Sequence, residues 1–341
     1  MDVGGLFLEE LAVEIERLHE PKYRAGQIFR WMHQRNAVSF QEMSDLPKGL
    51  RDKLEEEFRI STSVAIIKKS GIPGEDTTKY LLEAGQGTII ESVSMAYGYG
   101  RTACVSTQAG CAMGCVFCAS GEMFERSMTA GEMCGQAYAM QRDTGEKFSR
   151  VVLMGSGEPL ANYDESLRFV RLVSDPGGAN VGRRRITLST CGLPREIEKL
   201  SKEGLALTLA VSLHASNDET RARLMPKAAS ICSVKELAKV CREYANVTKR
   251  RVTYEHTMIK GVNDSLANAK ELAGLLAGDL CHVNLIPLNG IQALERSPAK
   301  TVEAFAGVLS GKGIPVTVRR SLGAGIEAAC GQLKAGHKTL D

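Results

Sequence analysis

The chain has 341 residues, of which 43% are apolar and 24% are charged, and its formal net charge is +3. These values are ordinary for a globular protein with a large core, and the length allows two domains or one large domain with an appendage. The acidic, amphipathic start excludes a signal peptide, and no segment approaches the roughly 18 apolar residues that a membrane helix needs. We therefore expect a cytoplasmic protein whose cysteines stay reduced and available for metal or redox chemistry.

The first 60 residues have the pattern of a small helical domain. The segment "LFLEELAVEIERL" has apolar residues at helical spacing, and "PKYRAGQIFRWMHQ" begins with proline at a helix-entry position. Over residues 61–96 the period changes to alternation in segments rich in β-branched residues, such as "GTIIESVSMAY". This change predicts a short extension of antiparallel strands.

Residues 97–341 alternate between short apolar runs and helical stretches. The strand candidates are "TACVST", "RVVLMG", "RITLST", "LTLAVSL", "VTYEHTM", "HVNLIP" and "PVTVR". About six strand–helix repeats predict an α/β fold with a partial (β/α)6 barrel rather than a full eightfold one. Chemically suggestive residues follow these strands at their carboxyl ends, the edge at which active sites form in parallel barrels.

The segment "CAMGCVFC" places Cys111, Cys115 and Cys118 in the spacing C-x3-C-x2-C. Thiolates select zinc, copper(I) or iron–sulfur clusters. Structural zinc usually has four protein ligands, and the nearest further thiol, Cys104, lies seven residues upstream on a candidate strand. Three ligands instead suit a [4Fe–4S] cluster that keeps one iron free. A zinc-stabilised protein is the alternative.

The cysteine loop, with Phe117 before its last cysteine, resembles the signature of the radical S-adenosylmethionine (SAM) superfamily. The segments "MGSGEPLANYD", "ITLSTCGLP", "LAVSLHASNDETRARLMP", "HVNLIPLN" and "AACGQL" are similar to segments of the RlmN/Cfr family of RNA adenosine methyltransferases, in the same order. The N-terminal helices resemble that family's RNA-binding accessory domain. "GEPL" is typical of the RlmN branch, whereas Cfr-type members more often have "GEAL". Ser156, where the family more often has methionine, departs from the pattern.

The resemblance implies formation of 2-methyladenosine in 23S rRNA at the peptidyl-transferase centre, with tRNA, next to the anticodon, as a second substrate. Adenine C2 is too electron-poor to attack the SAM methyl group, so the family uses two SAM molecules. By resemblance, Cys330 takes a methyl group from the first, because a thiolate is a good nucleophile. The second SAM, bound to the cluster, gives a radical that abstracts hydrogen from that methyl group. Cys104 then releases the product by forming a disulfide with Cys330, and Glu91 accepts a proton.

The resemblance also implies a SAM-binding set, in which each residue has a simpler structural interpretation. Serines at strand ends can cap helices, a single histidine is more often structural, and asparagine can hold a turn. The implied SAM-binding residues are Gly157, Glu158, Ser189, Ser212, Leu213, His214 and Asn289. The remaining cysteines, Cys134, Cys191, Cys232, Cys241 and Cys281, are expected to pack in the core, with Cys191 nearest the pocket.

The expected partners are 23S rRNA, tRNA and a flavodoxin- or ferredoxin-type electron donor, and the expected state is a monomer that binds no membrane. Basic clusters at Arg183–Arg185, Lys249–Arg251 and Arg319–Arg320 are candidate phosphate contacts, although such clusters are more often solvated surface. Two alternative functions stay open: a Cfr-like C8 methyltransferase that confers antibiotic resistance, and a non-catalytic iron–sulfur or RNA-binding protein.

Overall fold

A ten-stranded sheet runs through the computed structural model, which describes residues 1–71, 76–289, 294–319 and 331–333. The twelve strands of the described residues are numbered in chain order. Across the sheet they lie in the order β1-β2-β3-β4-β7-β8-β9-β10-β11-β12, and β5 and β6 form a separate pair. The first three strands and β4 pair antiparallel, whereas all pairs from β4 to β12 are parallel. One continuous sheet therefore joins the predicted extension to the predicted barrel.

Three helices and three strands make up the part that precedes the barrel. They are α1 (Leu8–Arg17), α2 (Tyr23–His33), α3 (Lys48–Glu57), β1 (Ala65–Gly71), β2 (Thr77–Glu83) and β3 (Ile89–Tyr97). The apolar stripe of α1 buries Leu11, Ala12 and Ile15, as the helical spacing predicts. The helical and antiparallel assignments for this region are therefore confirmed.

Strands and helices then alternate to the end of the barrel. The elements are β4 (Gly100–Cys104), β5 (Gln108–Gly110), β6 (Phe124–Ser127), α4 (Ala130–Thr144), β7 (Phe148–Leu153), α5 (Tyr163–Val173), β8 (Ile186–Thr190), α6 (Pro194–Ser201), β9 (Thr208–Ser212), α7 (Asp218–Leu224), α8 (Pro226–Ile231), α9 (Val234–Thr248), β10 (Val252–Met258), α10 (Leu266–Leu275), β11 (Cys281–Pro287), α11 (Ala299–Gly311) and β12 (Val316–Val318). The predicted α/β class and the partial (β/α)6 barrel are confirmed. The strands β5 and β6, which the sequence did not predict, flank the cysteine loop.

The two faces of the sheet have different surroundings. On β7, Val151 and Leu153 are buried in the main core, which the helices cover. Side chains alternate along a strand, so Arg150 and Val152 lie on the other face, which we call the inner face. Val152 packs there against Cys104, the last residue of β4. The inner face therefore carries the first of the predicted catalytic residues.

The length and polarity of each helix determine whether it could cross a membrane. Within residues 1–71, 76–289, 294–319 and 331–333, every helix is too short or too polar to cross a membrane.

A buried histidine connects the N-terminal helices to the barrel. His33, at the end of α2, is only 1% exposed, and its Nδ1 lies 3.0 Å from the hydroxyl of Tyr138 on α4. Its Nε2 is buried without a hydrogen-bond partner among the described residues. Burial lowers the pKa of His33 to about 3. The folded protein therefore holds this imidazole in its neutral form.

We expect the pH to change the stability through His33. Its folded pKa of about 3 lies below the ordinary value of 6.5, so the unfolded chain binds the extra proton between those pH values. The free energy of unfolding should thus fall as the pH drops below 6.5, by about 2 kcal/mol from this group between pH 6.5 and 5. Urea unfolding at several pH values would measure this fall.

The matched variants are His33→Gln and His19→Asn. His19 is exposed and has a left-handed φ of 59°, a conformation that asparagine accepts. Replacing His33 should flatten the pH dependence, whereas replacing His19 should leave it unchanged. Equal pH dependence in the wild type and the His33 variant would contradict this explanation.

Candidate active site

A pocket with a cavity volume of about 160 Å³ opens at the carboxyl ends of the parallel strands. It lies where the sequence predicted an active site. The predicted residues that line it are Cys111, Cys115, Cys118, Gly157, Glu158, Ser189, Ser212, His214 and Asn289. The structure therefore brings together predicted residues that come from the ends of four strands, β7, β8, β9 and β11, and from one loop.

The three loop cysteines line one side of the pocket. Each is partly exposed, and they pack against a small apolar cluster that contains Met113, Phe117, Cys191 and Leu288. Burial raises the pKa of Cys111 to about 11 and raises that of Cys115 further. The protein alone therefore disfavours thiolates here, and a cationic metal centre would reverse that preference.

This donor set fits an iron–sulfur cluster better than a single ion. Among the described residues, no group of three or more Cys, His, Asp or Glu side chains is arranged to hold one metal ion. In a [4Fe–4S] cluster each cysteine binds a different iron, so its three thiols stand wider apart than the ligands of one zinc ion. The three thiols line one pocket, and thiolate sulfur is the donor that iron–sulfur clusters take.

Glu158 is a buried carboxylate that joins two strand ends. Its oxygens accept hydrogen bonds from the backbone N–H of Leu160 at 3.0 Å and of Cys191 at 2.7 Å. Burial raises the pKa of Glu158, and these hydrogen bonds oppose the rise. The carboxylate thus fixes the turn after β7 against the turn after β8.

Gly157 allows the backbone before Glu158 to pass close to β5. Its φ is +105°, and a Cβ built at this position would lie 2.6 Å from the Cβ of Gln108. The Gln108 amide oxygen accepts a hydrogen bond from the N–H of Glu158 at 3.0 Å. A side chain at position 157 would break this contact, so the glycine is required for the shape of the pocket.

His214 lies directly after β9 with a left-handed φ of 54°, which is uncommon for a non-glycine residue. Its Nδ1 accepts a hydrogen bond from the N–H of Thr257 at 2.9 Å, and its ring packs edge-on against Phe117. Burial lowers the pKa of His214 well below its ordinary value. The neutral ring therefore presents its Nε2–H to its surroundings.

Arg221 was not singled out from the sequence. It is fully buried and donates to the carbonyl oxygens of Leu213 at 2.9 Å and Cys191 at 2.6 Å. It thus ties the end of β9 to the turn after β8. The spacing of the charges in "ETRARL" gives no sign of which arginine is buried.

Several other lining residues were also not singled out from the sequence. Burial raises the pKa of Glu255, which the Arg319 charge and a hydrogen bond from Asn284 oppose. Arg319, which was predicted as a possible phosphate contact, lines the pocket instead. Further lining residues of this kind include Ser120, Met154 and Thr257. They had no signal beyond their place near a strand end.

Three predicted residues lie outside the pocket lining. The side chain of Leu213 packs in the main core, and only its backbone carbonyl faces Arg221. Glu91 lies on β3, buried, with one carboxylate oxygen 3.1 Å from the Nζ of Lys79. Cys104 ends β4 and shares an apolar cluster with Leu333. The other predicted core cysteines are buried as expected, and Cys191 lines the pocket.

The predicted methyl carrier, Cys330, lies outside the described residues, as does Arg320, but the segment that follows Cys330 is described. Gly331 lines the pocket, and its carbonyl oxygen accepts a hydrogen bond from the N–H of Ala119 at 2.7 Å. The carbonyl oxygen of Leu333 accepts one from the Ser120 hydroxyl at 2.5 Å. Residues 331–333, which we call the tail segment, are therefore bound to the loop that carries the cysteines.

Comparisons with known proteins agree with this geometry. The profile of the radical SAM superfamily matches residues 105–273, and that of the ribosomal RNA large subunit methyltransferase N-terminal domain matches residues 1–60. The chain is 45% identical to a probable dual-specificity RNA methyltransferase RlmN of Clostridium tetani, covering 96% of this chain and 94% of that protein. It is 46% identical to one of Alkaliphilus oremlandii, covering 99% and 98%.

A solved structure is similar over nearly the whole chain. The crystal structure of a radical SAM methyltransferase from Sphaerobacter thermophilus superposes with a TM-score of 0.94 at 43% identity. The superposition covers 98% of this chain and 100% of the other.

We expect Gly157→Ala to weaken SAM binding by about tenfold or more, equivalent to ~1.4 kcal/mol, because the added Cβ displaces Gln108 and the turn that carries Glu158. Calorimetric titration of the reconstituted protein with SAM would measure this loss. Gly182→Ala is the matched control, since a Cβ there meets no atom within 4 Å. Equal SAM affinity in both variants would show that the turn does not shape the site.

Proposed function

The chain belongs to the RlmN family of radical SAM methyltransferases, and we propose that it forms 2-methyladenosine in 23S rRNA at the peptidyl-transferase centre. We propose tRNA, next to the anticodon, as a second substrate. The observation that carries the proposal is the pocket, in which the loop cysteines, the GEP turn and the tail segment after Cys330 meet.

Enzymes of this family use a [4Fe–4S] cluster and SAM. When bound, such a cluster would supply the electron for reductive cleavage of SAM. We propose that Cys111, Cys115 and Cys118 hold the cluster. The other lining residues would bind SAM, with Gly157 and Glu158 at its amino-acid end. Leu213 would take part through its backbone, because its side chain lies in the core.

Two further cysteines would carry the methyl group and release the product. Cys330 directly precedes Gly331 in the sequence, and Gly331 lines the pocket. Cys104 packs in one apolar cluster with Leu333, three residues beyond Cys330. The contacts of the tail segment thus support a pair in which Cys104 attacks the sulfur of Cys330.

Glu91 is the proposed proton acceptor. It lies on the same face of β3 as Val93, which pairs with Cys104 across the strands. One oxygen of its carboxylate lies 3.1 Å from the Lys79 Nζ. Glu91 therefore lies on the inner face, on the side where Cys104 would release the product.

The domain limits and partners complete the proposal. Residues 1–60 would bind folded RNA, residues 61–96 would extend the sheet, and residues 97–341 would form the catalytic core with its carrier cysteine. A flavodoxin- or ferredoxin-type protein would donate electrons. We propose that the enzyme works as a cytoplasmic monomer.

Nucleoside mass spectrometry tests the reaction. The cluster would be reconstituted without oxygen and the enzyme supplied with SAM, a reductant and an unmodified 23S rRNA fragment. We expect 2-methyladenosine after digestion. Formation of 8-methyladenosine would instead place the chain in the Cfr branch. If the protein binds a cluster but carries out no SAM-dependent reaction, a non-catalytic iron–sulfur protein is favoured instead.

Cysteine variants test the proposed carrier chemistry. With methyl-labelled SAM, Cys330→Ala should take up no label and should make no product. Cys104→Ala should still become labelled but should stay covalently joined to the RNA, because no thiol displaces the product from Cys330. Gel electrophoresis would detect that adduct.

Cys134→Ala is the control for this experiment, since Cys134 is buried in α4 away from the pocket. It should keep both labelling and turnover. Label on the Cys330 variant, or release of product by the Cys104 variant, would refute the assigned roles.

A further inference from the structure

The hairpin between β3 and β4 carries two tyrosines stacked on each other. The ring centroids of Tyr97 and Tyr99 are 4.9 Å apart, and the rings lie 9° from parallel. The central guanidinium carbon of Arg150 lies 4.5 Å from the Tyr99 centroid. Unpaired bases in RNA stack on aromatic rings and on arginine planes of this kind. We call these three residues the stacking ladder.

Tyr99 is the middle member of the stacking ladder, with Tyr97 and Arg150 on its two faces, and both Tyr99 and Arg150 are exposed to a partner. Tyr99 is 57% exposed. In the described part of the chain, its hydroxyl has no hydrogen-bond partner and Arg150 has no carboxylate within ion-pair distance. The next arginine along the hairpin, Arg101, is different, because it forms an ion pair with Glu146 at 2.6 Å. The charge of Arg150 is therefore free to meet a phosphate group.

The stacking ladder lies on the face of the sheet that carries the proposed chemistry. Tyr97 packs against the apolar cluster that contains Cys104 and Leu333. On the neighbouring strand, Arg150 precedes the pocket-lining Met154 by four residues, which corresponds to about 13 Å along a strand. An RNA strand whose target base enters the pocket would need only a few nucleotides to reach the ladder.

We propose that Tyr97, Tyr99 and Arg150 form a stacking site for an unpaired nucleotide that flanks the target adenosine. This inference rests on the proposed function, since it assigns the ladder to the RNA substrate of the same site. The base extends the ladder by stacking on the outer plane of the Arg150 guanidinium group, which the Tyr99 ring supports from the other side, and the N–H groups of Arg150 pair with the adjacent phosphate. The ladder therefore orients the flanking strand, and it takes no part in SAM binding.

The test compares RNA binding by ring-deleting and ring-keeping variants of the reconstituted enzyme. The probe is the unmodified 23S rRNA fragment, and the dissociation constant is measured by filter binding. Tyr99→Ala should raise that constant by about fivefold or more, because the Arg150 plane that carries the base loses the ring that supports it. Tyr99→Phe should bind within about twofold of wild type, because it keeps the ring. Arg150→Gln should flatten the salt dependence of binding by about one phosphate contact.

The control is Tyr163→Ala. The Tyr163 ring on α5 is also covered by a cation, the Lys199 Nζ at 3.9 Å, but it lies on the helical side of the sheet. This variant should keep the wild-type affinity for RNA. The SAM affinity and melting temperature of Tyr99→Ala should match those of the wild type, which separates a stacking role from a structural one.

Three results would overturn the inference: unchanged RNA affinity in Tyr99→Ala, an equal loss in Tyr99→Phe, or an equal loss in Tyr163→Ala. Failure of the proposed function would look different. In that case the wild type would make no methyladenosine, while the comparison of RNA affinities would still decide the role of the ladder.

Discussion

Two buried charges hold the strand ends together, and the pocket depends on both. The Glu158 carboxylate accepts backbone hydrogen bonds from the turns after β7 and β8. The Arg221 guanidinium donates to backbone carbonyls after β8 and β9. A buried charge is costly unless its hydrogen-bonding capacity is satisfied. Each charge therefore favours the one arrangement of turns that satisfies it, and that arrangement places the predicted residues around one cavity.

Burial of the loop thiols suits the proposed metal centre better than it suits free nucleophilic chemistry. Burial raises the pKa values of Cys111 and Cys115, so these side chains gain little as free thiolates at neutral pH. The apolar cluster around them is buried and covers part of each thiol. Such surroundings suit a cofactor whose reactive products must be shielded from solvent.

Much of the fold can be predicted from the sequence, because the spacing of apolar residues indicates which segments form helices and which form strands. Short β-branched runs and amphipathic helices alternate, and their order fixes a parallel sheet with its active edge. β5 and β6 escaped prediction, since strands of three and four residues show no readable period. Their assignment depends on contacts around Gly110 and Phe124 that form only in the folded chain.

The site divides in a similar way. Cysteines and the GEP turn are rare patterns with a fixed spacing, so the sequence identifies them. Arg221 and Arg319 belong to charge-rich stretches in which any arginine looks solvated, and only the folded chain shows which one faces the pocket. The stacking ladder was not predicted either, because the stretch "YGYGR" around its two tyrosines is typical of an ordinary turn.

The tail segment has a thermodynamic consequence for how the enzyme matures. Its carbonyl groups accept hydrogen bonds from Ala119 and Ser120, directly after the last loop cysteine. If binding of the tail segment stabilises the loop conformation that receives the cluster, then cluster binding must stabilise the bound tail segment by the same free energy. With the proposed cluster in place, iron–sulfur assembly and docking of the tail segment would therefore be linked equilibria. Loss of the cluster would then also loosen the segment that follows the proposed methyl carrier.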